Sequence, residues 1–472
     1  MGNYEKEWGM LRAAEAARRA LGADLRAIEV LDLALFNVLR MKERPPRRFD
    51  ALRTATLPAR AAVRAWRVPR RAPAAEAQFP SSGRRIVFCV WTTSHVKHLV
   101  PVARVLAASG AAAPLFLVLR DATLIERVRD AGLPVRWGEP DVSRRERLDA
   151  VAAFARRVPA ALRVAKELGN GKADSMLVDT VLFAVAGVTP LELLARRFLT
   201  SFRPSAIVLA NHEMAVGRML AQLAGEQGIP LIQVQHGFIA RHPKHAWPHA
   251  GTTCVWGNQT KALLESLGWP GGKISVCGAP GLDHLSQLER PSKPATARRV
   301  VLYTPVSGNS LTPAADVEAA TQALYGALAT RSDVELVVKP HPVDRLHIPE
   351  RLLKSFPALR ATVVRNGDLH RMMLDADVVT TMWSTTALEA VLLERPVVVI
   401  DSKQDDPLPI VEYGAALKAG RSEAVAAALE SAFGQAGAAA LARGRARFSA
   451  EFAHGNDGRA AERTAEVVLR AT

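Results

Sequence analysis

Two histidines follow the first strongly apolar run of the sequence. Residues 86–91 (Ile-Val-Phe-Cys-Val-Trp) are typical of a parallel strand covered on both faces. We predict a polar turn over 92–95 and a helix over 99–108, which places His95 and His98 at the carboxyl end of the strand. A neutral imidazole can take a proton from an attacking hydroxyl, because its unperturbed pKa is near physiological pH. His95 is therefore a candidate catalytic base and His98 a candidate substrate contact; the alternative is a histidine held at a helix N-terminus by capping groups.

A third histidine follows another apolar strand. His236 lies between Gln235 and Gly237, directly after the predicted strand 231–234. Glycine allows the backbone to approach a ligand closely, and α/β folds bind ligands at the carboxyl ends of parallel strands. His236 is therefore the second candidate base, and Gln235 and Gly237 are candidate acceptor contacts.

Three more histidines, His242, His245 and His249, lie in the loop that follows. Their spacing suggests a metal site, but no carboxylate or cysteine accompanies them and prolines interrupt the loop. The pattern favours structural or substrate-contacting roles, and we predict no bound metal and no cofactor.

A lysine and a histidine follow a strand in the second half of the chain. Lys339 and His341 come directly after the predicted strand 334–338, and a proline stands on each side of His341. The prolines restrict the backbone and so hold the imidazole in place. Lys339 and His341 are candidate ligands of a phosphate group, although a solvated lysine is the simpler explanation for Lys339.

A cluster of hydroxyl groups lies between the predicted strand 378–380 and the next helix. Ser384, Thr385 and Thr386 bring hydroxyls and free backbone N–H groups to the positive end of that helix, which suits a phosphate. Glu389, one turn inside the helix, can accept hydrogen bonds from ribose hydroxyls. Ordinary N-capping by Ser384 or Thr385 is the alternative.

Alternating strands and helices position these groups. Residues 84–285 and 298–420 each predict a Rossmann-like domain with a parallel sheet, and two such domains bind ligands in the cleft between them. Helices over 421–472 close the molecule. Residues 1–80 are predicted as a helical and basic N-terminal extension.

The charge is concentrated in that extension. The 472 residues carry a net charge of +16, and residues 40–71 hold eleven Lys and Arg against two acidic residues. Each basic residue near an anionic membrane contributes about 1 kcal/mol to binding, so this segment predicts contact with such a surface. A solvated linker is the alternative. Nucleic acid is not expected as a partner, because aromatic residues make up only 6% of the chain and no recognition motif accompanies the arginines.

The cysteines and the N-terminus indicate the compartment. Cys89, Cys254 and Cys277 are far apart and lie in apolar runs, which favours free thiols in a reducing environment. No apolar segment typical of a secretion signal occurs at the N-terminus. We therefore expect a cytoplasmic protein, with a peripheral position at the inner face of the membrane through residues 40–71.

Taken together, the motifs resemble those of GT-B glycosyltransferases, in particular bacterial surface-polysaccharide enzymes. That group includes capsule Kdo and polysialic acid transferases and the related CDP-glycerol glycerophosphotransferases. The segment Ser94 to Gly110 is similar to the first loop and helix of inverting GT-B enzymes, with Ser94 where those usually have glycine. Further similar segments are Gln235-His236-Gly237, Leu302-Tyr303-Thr304-Pro305, Lys339-Pro340-His341-Pro342, Ser384-Thr385-Thr386 with Glu389, Cys254 to Gly257, Val276 to Pro280 with Asp283, and Asn456 to Arg459 with Arg463.

The resemblance covers residues 84–470 and implies roles for the matching positions. His95 would be the base, His341 and the hydroxyls over 384–386 would hold the donor's phosphate, and Glu389 would bind its nucleotide. The expected activity is transfer of a sugar from a CMP-, UDP- or CDP-linked donor to a surface polysaccharide or a lipid-linked glycan, without an obligatory metal.

Three alternatives stay open. A polyol-phosphate transferase acting on a CDP-alcohol would use the same phosphate ligands. A UDP-sugar 2-epimerase would share the two-domain cleft but needs paired acid and base groups around the sugar. A polysaccharide-assembly component that only binds glycans would keep the fold without the chemistry.

Overall fold

The computed structural model contains two parallel β-sheets flanked by helices. It describes residues 83–119, 121–137, 143–168, 175–239, 241, 245, 251–289, 291, 298–306, 313–341, 344, 346–401 and 409–472. The predicted N-terminal extension over 1–80, including its basic segment 40–71, lies outside the described residues. The predicted α/β class with two Rossmann-like sheets is confirmed.

Seven strands form the first sheet. They are β1 (Arg85–Val90), β2 (Ala113–Val118), β3 (Val135–Trp137), β4 (Ala206–Leu209), β5 (Leu231–Val234), β6 (Thr252–Val255) and β7 (Ile274–Val276). All pair in parallel, in the order β3-β2-β1-β4-β5-β6-β7. The direction of winding reverses between β1 and β4, and such a reversal opens a crevice at the carboxyl ends of the two strands.

Six strands form the second sheet. They are β8 (Arg299–Thr304), β9 (Val334–Val338), β10 (Ala361–Val363), β11 (Val378–Thr381), β12 (Val397–Ile400) and β13 (Leu417–Ala419). Their order is β10-β9-β8-β11-β12-β13, again all parallel. Here the winding reverses between β8 and β11, so the second sheet also has a crevice, at the end of β11.

Helices cover both faces of each sheet, which explains why the central strands are mostly apolar and buried. In the first half they are α1 (Thr93–Ala108), α2 (Thr123–Asp130), α3 (Arg144–Leu168), α4 (Ser175–Phe202), α5 (Ala215–Glu226) and α6 (Asn258–Ser266). In the second half they are α7 (Ala314–Leu328), α8 (Ile348–Leu353), α9 (Leu369–Asp375), α10 (Thr385–Leu392), α11 (Ser422–Phe433), α12 (Gln435–Ala453) and α13 (Ala460–Ala471). Short 3₁₀ segments occur at Gly271–Lys273, Pro280–Gln287 and His454–Asn456.

Within these described elements, no single helix is long and apolar enough to cross a membrane. One pair of consecutive helices, Ser422–Phe433 and Gln435–Asn456, has the length and composition of a membrane span when taken together. This pair is bent by 84° at the break between its helices.

The chain crosses between the two sheets twice. The 3₁₀ segment Pro280–Gln287 ends the first half, and α13 returns from the second half to pack on the first sheet, where Val468 is fully buried. Asp283 holds the start of α13, since its carboxylate accepts the backbone N–H groups of Ala460 (3.0 Å) and Ala461 (2.7 Å). The two crossings therefore lie side by side and are joined by hydrogen bonds.

Helix α1 begins earlier than the sequence predicts. The predicted polar turn over 92–95 is wrong, because α1 starts at Thr93. Thr92 has an extended backbone and acts as the N-cap, and its hydroxyl accepts the backbone N–H of His95 (3.4 Å). His95 and His98 consequently project from the first turns of a helix, where residues three apart share a face.

The two halves also approach closely at Gly257, which lies between β6 and α6. A Cβ atom at Gly257 would overlap backbone atoms of Glu451 and Phe452 in α12. Gly257→Ala is expected to lower the free energy of unfolding by about 1–3 kcal/mol, because the added methyl group forces the two backbones apart. Urea unfolding measures this change.

Gly272→Ala is the matched control for that substitution. A Cβ atom at Gly272 meets nothing within 4 Å, and its backbone conformation is open to any residue. If Gly257→Ala is as stable as Gly272→Ala, the tight contact between β6 and α12 is contradicted.

Candidate functional site

His95 lies in a buried layer at the carboxyl end of β1. Only 1% of its surface is exposed, and its ring packs edge-on against Trp91 (4.5 Å between centroids) and His236 (4.8 Å). Burial, followed by the charge of His236, lowers the pKa of His95 to about 3. Its Nδ1 atom has no hydrogen-bond partner among the described residues. His95 is therefore neutral at physiological pH and weakly basic in this state.

His236 is the more accessible of the two candidate bases. It follows β5 and is half-buried, whereas His95 is enclosed. The hydroxyl of Ser94 donates a hydrogen bond to the His236 carbonyl oxygen (2.9 Å) and so ties the β5 loop to α1. The structure thus brings together two histidines that are far apart in sequence, and Ser94 gives this loop contact a donor that glycine lacks.

His98 and Gln235 have internal partners. His98 is buried, its Nδ1 accepts the backbone N–H of Gly281 (3.2 Å), and its ring stacks on Trp256 (5.4 Å). Gln235 accepts the backbone N–H of Trp256 through Oε1 (2.8 Å) and donates from Nε2 to the carbonyl of Gly237 (2.9 Å). Both side chains make these contacts within the protein, and their role as substrate contacts stays a prediction. The space beside Gly237 is open, since a Cβ atom there would meet nothing within 4 Å.

The predicted hydroxyl cluster lies at the N-terminus of α10. Ser384 is the N-cap: its Oγ accepts the backbone N–H of Thr386 (3.2 Å) and lies 3.0 Å from the Thr386 hydroxyl. Ser384 and Thr386 are half-buried, and Thr385 is exposed. The capping alternative is thus correct for Ser384, and it is compatible with anion binding because further N–H groups and the helix dipole remain at this end.

Lys339 and His341 emerge at the same edge of the second sheet as Ser384. Their strand, β9, is separated from β11 by β8 alone, so the two strand ends are about 10 Å apart. Lys339 directs its Nζ to the carbonyl oxygen of Arg365 (2.6 Å), which gives the ammonium a structural contact. His341 is exposed at this edge.

Glu389 joins the two halves across the cleft. Its Oε1 accepts from Nζ of Lys97 in α1 (2.6 Å), and its Oε2 lies 2.8 Å from Nε2 of His370 in α9. Only 13% of the Glu389 side chain is exposed. Burial alone would raise the pKa of this carboxyl group, but the hydrogen bond from His370 and the charge of Lys97 outweigh burial and hold the pKa at about 2. Glu389 is therefore ionised at neutral pH.

His284 continues the chain of side-chain contacts that begins at Glu389 and passes through His370. Nδ1 of His370 lies 3.2 Å from Nε2 of His284, which belongs to the 3₁₀ segment at the end of the first half. Because the carboxylate of Glu389 can only accept, Nε2 of His370 donates to it. Burial, followed by the charge of His370, lowers the pKa of His284.

Sequence analysis missed Lys97, His284 and His370. Lys97 lies between the two predicted histidines of α1, and His284 follows the Asp283 of a recognised motif, so local patterns drew attention to both neighbourhoods. No spacing rule predicts that Lys97 reaches a carboxylate 292 positions later. The cross-cleft contact depends on how the two sheets pack.

Of the three loop histidines, the structure describes His245. Nδ1 of His245 is 2.5 Å from Oε1 of Glu213, and the His245 carbonyl accepts from the indole of Trp269 (2.7 Å). His242 and His249 lie outside the described residues. Among the residues that the structure describes, no three His, Cys, Asp or Glu side chains are grouped to hold a metal ion.

The region that carries the donor-side candidates matches a known protein family. Residues 311–402 match the family model of capsule polysaccharide biosynthesis proteins. This match contains Lys339, His341, the hydroxyls over 384–386, Glu389 and the newly found His370, whereas both candidate bases lie outside it. No curated protein sequence matches the chain.

Solved structures with the same fold cover most of the chain. A UDP-GlcNAc 2-epimerase from Neisseria meningitidis, bound to UDP-GlcNAc, superimposes with a TM-score of 0.55 at 11% identity, covering 82% of this chain and 99% of that one. A UDP-N-acetylglucosamine 2-epimerase from Rickettsia bellii gives 0.52 at 12% identity, covering 83% and 96%. The glycotransferase of kitacinnamycin gives 0.52 at 16% identity, covering 83% and 100%. The family match and these neighbours confirm the predicted GT-B fold and the resemblance to surface-polysaccharide enzymes.

The buried carboxylate of Glu389 makes the free energy of unfolding depend on pH. Its pKa is about 2 in the folded protein, against 4.5 for an ordinary glutamate. Because the folded pKa is the lower one, the stabilisation is complete above pH 4.5 and is lost as pH falls toward 2. Glu389→Gln is expected to lower the free energy of unfolding by up to about 3 kcal/mol at pH 6. The difference from wild type should shrink by pH 3, which denaturant titrations at both pH values measure.

Glu318→Gln serves as the control, because Glu318 forms an exposed ion pair with Arg351 (2.8 Å). Exposed pairs contribute about 0–1 kcal/mol, so this variant should resemble wild type. A loss in Glu389→Gln that is the same at pH 6 and pH 3 would show that the ionised carboxylate is not the source of the stabilisation.

Proposed function

We propose that this protein is a glycosyltransferase that moves a sugar from a nucleotide-activated donor to a surface polysaccharide or lipid-linked glycan. The contact of Lys97 with Glu389 carries the proposal, because it brings the candidate bases of the first half and the phosphate-binding groups of the second to one cleft. The capsule polysaccharide biosynthesis match over residues 311–402 supports the substrate class.

On the donor side, the N-terminus of α10 is the proposed phosphate site. Ser384 and Thr386 supply hydroxyls, the first turn supplies backbone N–H groups, and the helix dipole favours an anion. His341 follows β9, whose end lies on the far side of β8 from this helix. These groups bind the leaving nucleotide more strongly as its negative charge grows in the transition state, and that difference accelerates the reaction. Glu389 is the proposed ligand of the ribose.

On the acceptor side, one of the two contacting histidines is the proposed base. As the acceptor oxygen bonds to the anomeric carbon of the sugar, the bond from that carbon to the phosphate oxygen breaks. The hydroxyl proton passes to the imidazole, and the electron pair leaves with the nucleotide. Because His236 is half-buried and His95 is enclosed, we propose that His236 meets the hydroxyl and that His95 positions its ring.

A UDP-sugar 2-epimerase is the second candidate, because epimerases superimpose on the chain as well as the glycotransferase does. A 2-epimerase interconverts a nucleotide sugar without any acceptor, whereas a glycosyltransferase consumes its donor only when an acceptor is present. Polyol-phosphate transfer would instead require a CDP-alcohol. The proposed membrane contact of residues 40–71 would place the acceptor side near lipid-linked substrates.

A panel of CMP-, UDP-, GDP- and CDP-linked donors tests the function. One nucleotide class is expected to bind by calorimetry and to be consumed with a glycan acceptor. Ser384→Ala should weaken donor binding by about tenfold, because a hydrogen bond to a charged group contributes about 1.5–3 kcal/mol. Ser143→Ala is the matched control: Ser143 caps α3 by accepting the N–H of Glu146 (3.2 Å), far from the cleft residues in sequence.

Three outcomes of the panel would overturn the proposal. A folded protein that binds no donor excludes a nucleotide-sugar enzyme. Interconversion of UDP-GlcNAc without acceptor identifies an epimerase. Turnover of a CDP-alcohol alone identifies a polyol-phosphate transferase.

Separate substitutions of the two histidines test the base. His236→Ala is expected to lower kcat by about 10²–10⁴-fold with unchanged donor affinity, because general-base catalysis contributes about that factor. His95→Gln should lower kcat less and leave the pH profile in place. If instead His95→Gln abolishes turnover while His236→Ala retains it, His95 is the base and the assignment is reversed.

A further inference from the structure

A cavity lies away from the cleft, between the second sheet's helices and the two chain crossings. Its volume is about 640 Å³, which is in the range of small-molecule sites. The 3₁₀ segment Pro280–Gln287 and the segment around Gly455 form one side of the cavity, and the end of α10 and α12 form the other. The cavity reaches α10 only at its C-terminal end, from Val391, which is about 10 Å along the helix from Ser384.

Arg445 on α12 is the unusual group in the cavity wall. Only 9% of its surface is exposed, and its Nε and Nη1 atoms have no hydrogen-bond partner among the described residues. Burial lowers the pKa of Arg445, and the charge of Glu394 opposes that effect. A guanidinium stays protonated in proteins, so a buried and unsatisfied charge is retained here at a cost in stability.

The rest of the wall suits an anion with an apolar portion. Arg395 lines the cavity beyond the end of α10, is buried, and donates from Nε to the carbonyl of Leu393 (3.0 Å). Arg395, Arg445 and Glu394 are the charged side chains of the wall and leave it with a net positive charge. Leu285 and Leu374 contribute apolar surface.

We propose that this cavity is a second ligand site, which binds a phosphate-bearing molecule through Arg445. The planar guanidinium can form two parallel hydrogen bonds to phosphate oxygens, from Nη2 and from one of the two unpartnered atoms, so such a ligand would supply an acceptor that Arg445 lacks. The ligand would touch both crossings of the chain, at Leu285 and at Gly455, so its binding is linked to the stability of the whole molecule. The site is distinct from the proposed donor site, and its test does not depend on the glycosyltransferase proposal.

Thermal unfolding of the full chain tests the site, in chloride and in inorganic phosphate at equal ionic strength. Phosphate is expected to raise the Tm of wild type and of Arg443→Gln, but not that of Arg445→Gln. Arg443 is the matched control, because it lies on the same helix, is exposed and removes the same charge. Ser384→Ala should keep the phosphate effect, which separates this site from the cleft. In chloride, Arg445→Gln should be at least as stable as wild type, because a buried unpaired charge is gone.

Calorimetry with a second variant, Arg445→Lys, keeps the test decisive if Arg445→Gln fails to fold. Arg445→Lys keeps the charge but loses the planar fork, and it should bind inorganic phosphate about tenfold more weakly than wild type. Hexyl phosphate that binds more tightly than inorganic phosphate indicates a lipid-like phosphate, and equal affinity indicates a soluble phosphate ester. An equal phosphate effect in wild type and Arg445→Gln, or none in wild type, overturns the proposal. Arg445→Gln is expected to bind nucleotide sugars as wild type does, because Arg445 is not part of the proposed donor site.

Discussion

A single buried carboxylate connects the two halves of this protein at the cleft. Glu389 is largely buried, and a buried charge must be compensated by partners that stay in place. Lys97 comes from the first half and His370 from the second, so the compensation holds only while the halves keep their relative position. Through His284, the same chain of contacts reaches the segment where the backbone passes from one sheet to the other.

The first turns of α1 organise the cleft around that carboxylate. Four side chains of this short stretch each serve a different contact: Ser94 holds the β5 loop, His95 packs on His236, Lys97 reaches Glu389 and His98 supports the 3₁₀ segment. Successive positions of a helix point in different directions, so this short stretch contacts three neighbours: the β5 loop, Glu389 and the 3₁₀ segment. The Thr92 cap that starts α1 early is what brings these positions into helical register.

Local sequence patterns predict the sheets well but not the contacts between them. The strand Val334–Val338 was predictable because four of its five residues are apolar and β-branched or leucine, with Glu335 alone exposed, whereas β13 is short, contains Lys418 and was missed. The N-terminus of α10 was predictable from its hydroxyl cluster. The contact of Glu389 with Lys97 was not, since it depends on the packing of the two sheets against each other. The contacts of His98 and Gln235 with Trp256 were not predictable either, because they depend on how the loops after β1, β5 and β6 pack within the first half.

Donor binding and the cross-cleft contact are compatible under the proposed function. Each carboxylate oxygen can accept two hydrogen bonds, and the contacts of Glu389 with Lys97 and His370 use one acceptor site on each oxygen. A ribose hydroxyl can therefore donate to Glu389 without displacing either partner. Because the low pKa keeps Glu389 ionised, the acceptor is strong before the ligand arrives. The contact that holds the cleft together thus also prepares the donor site, and its loss would weaken both at once.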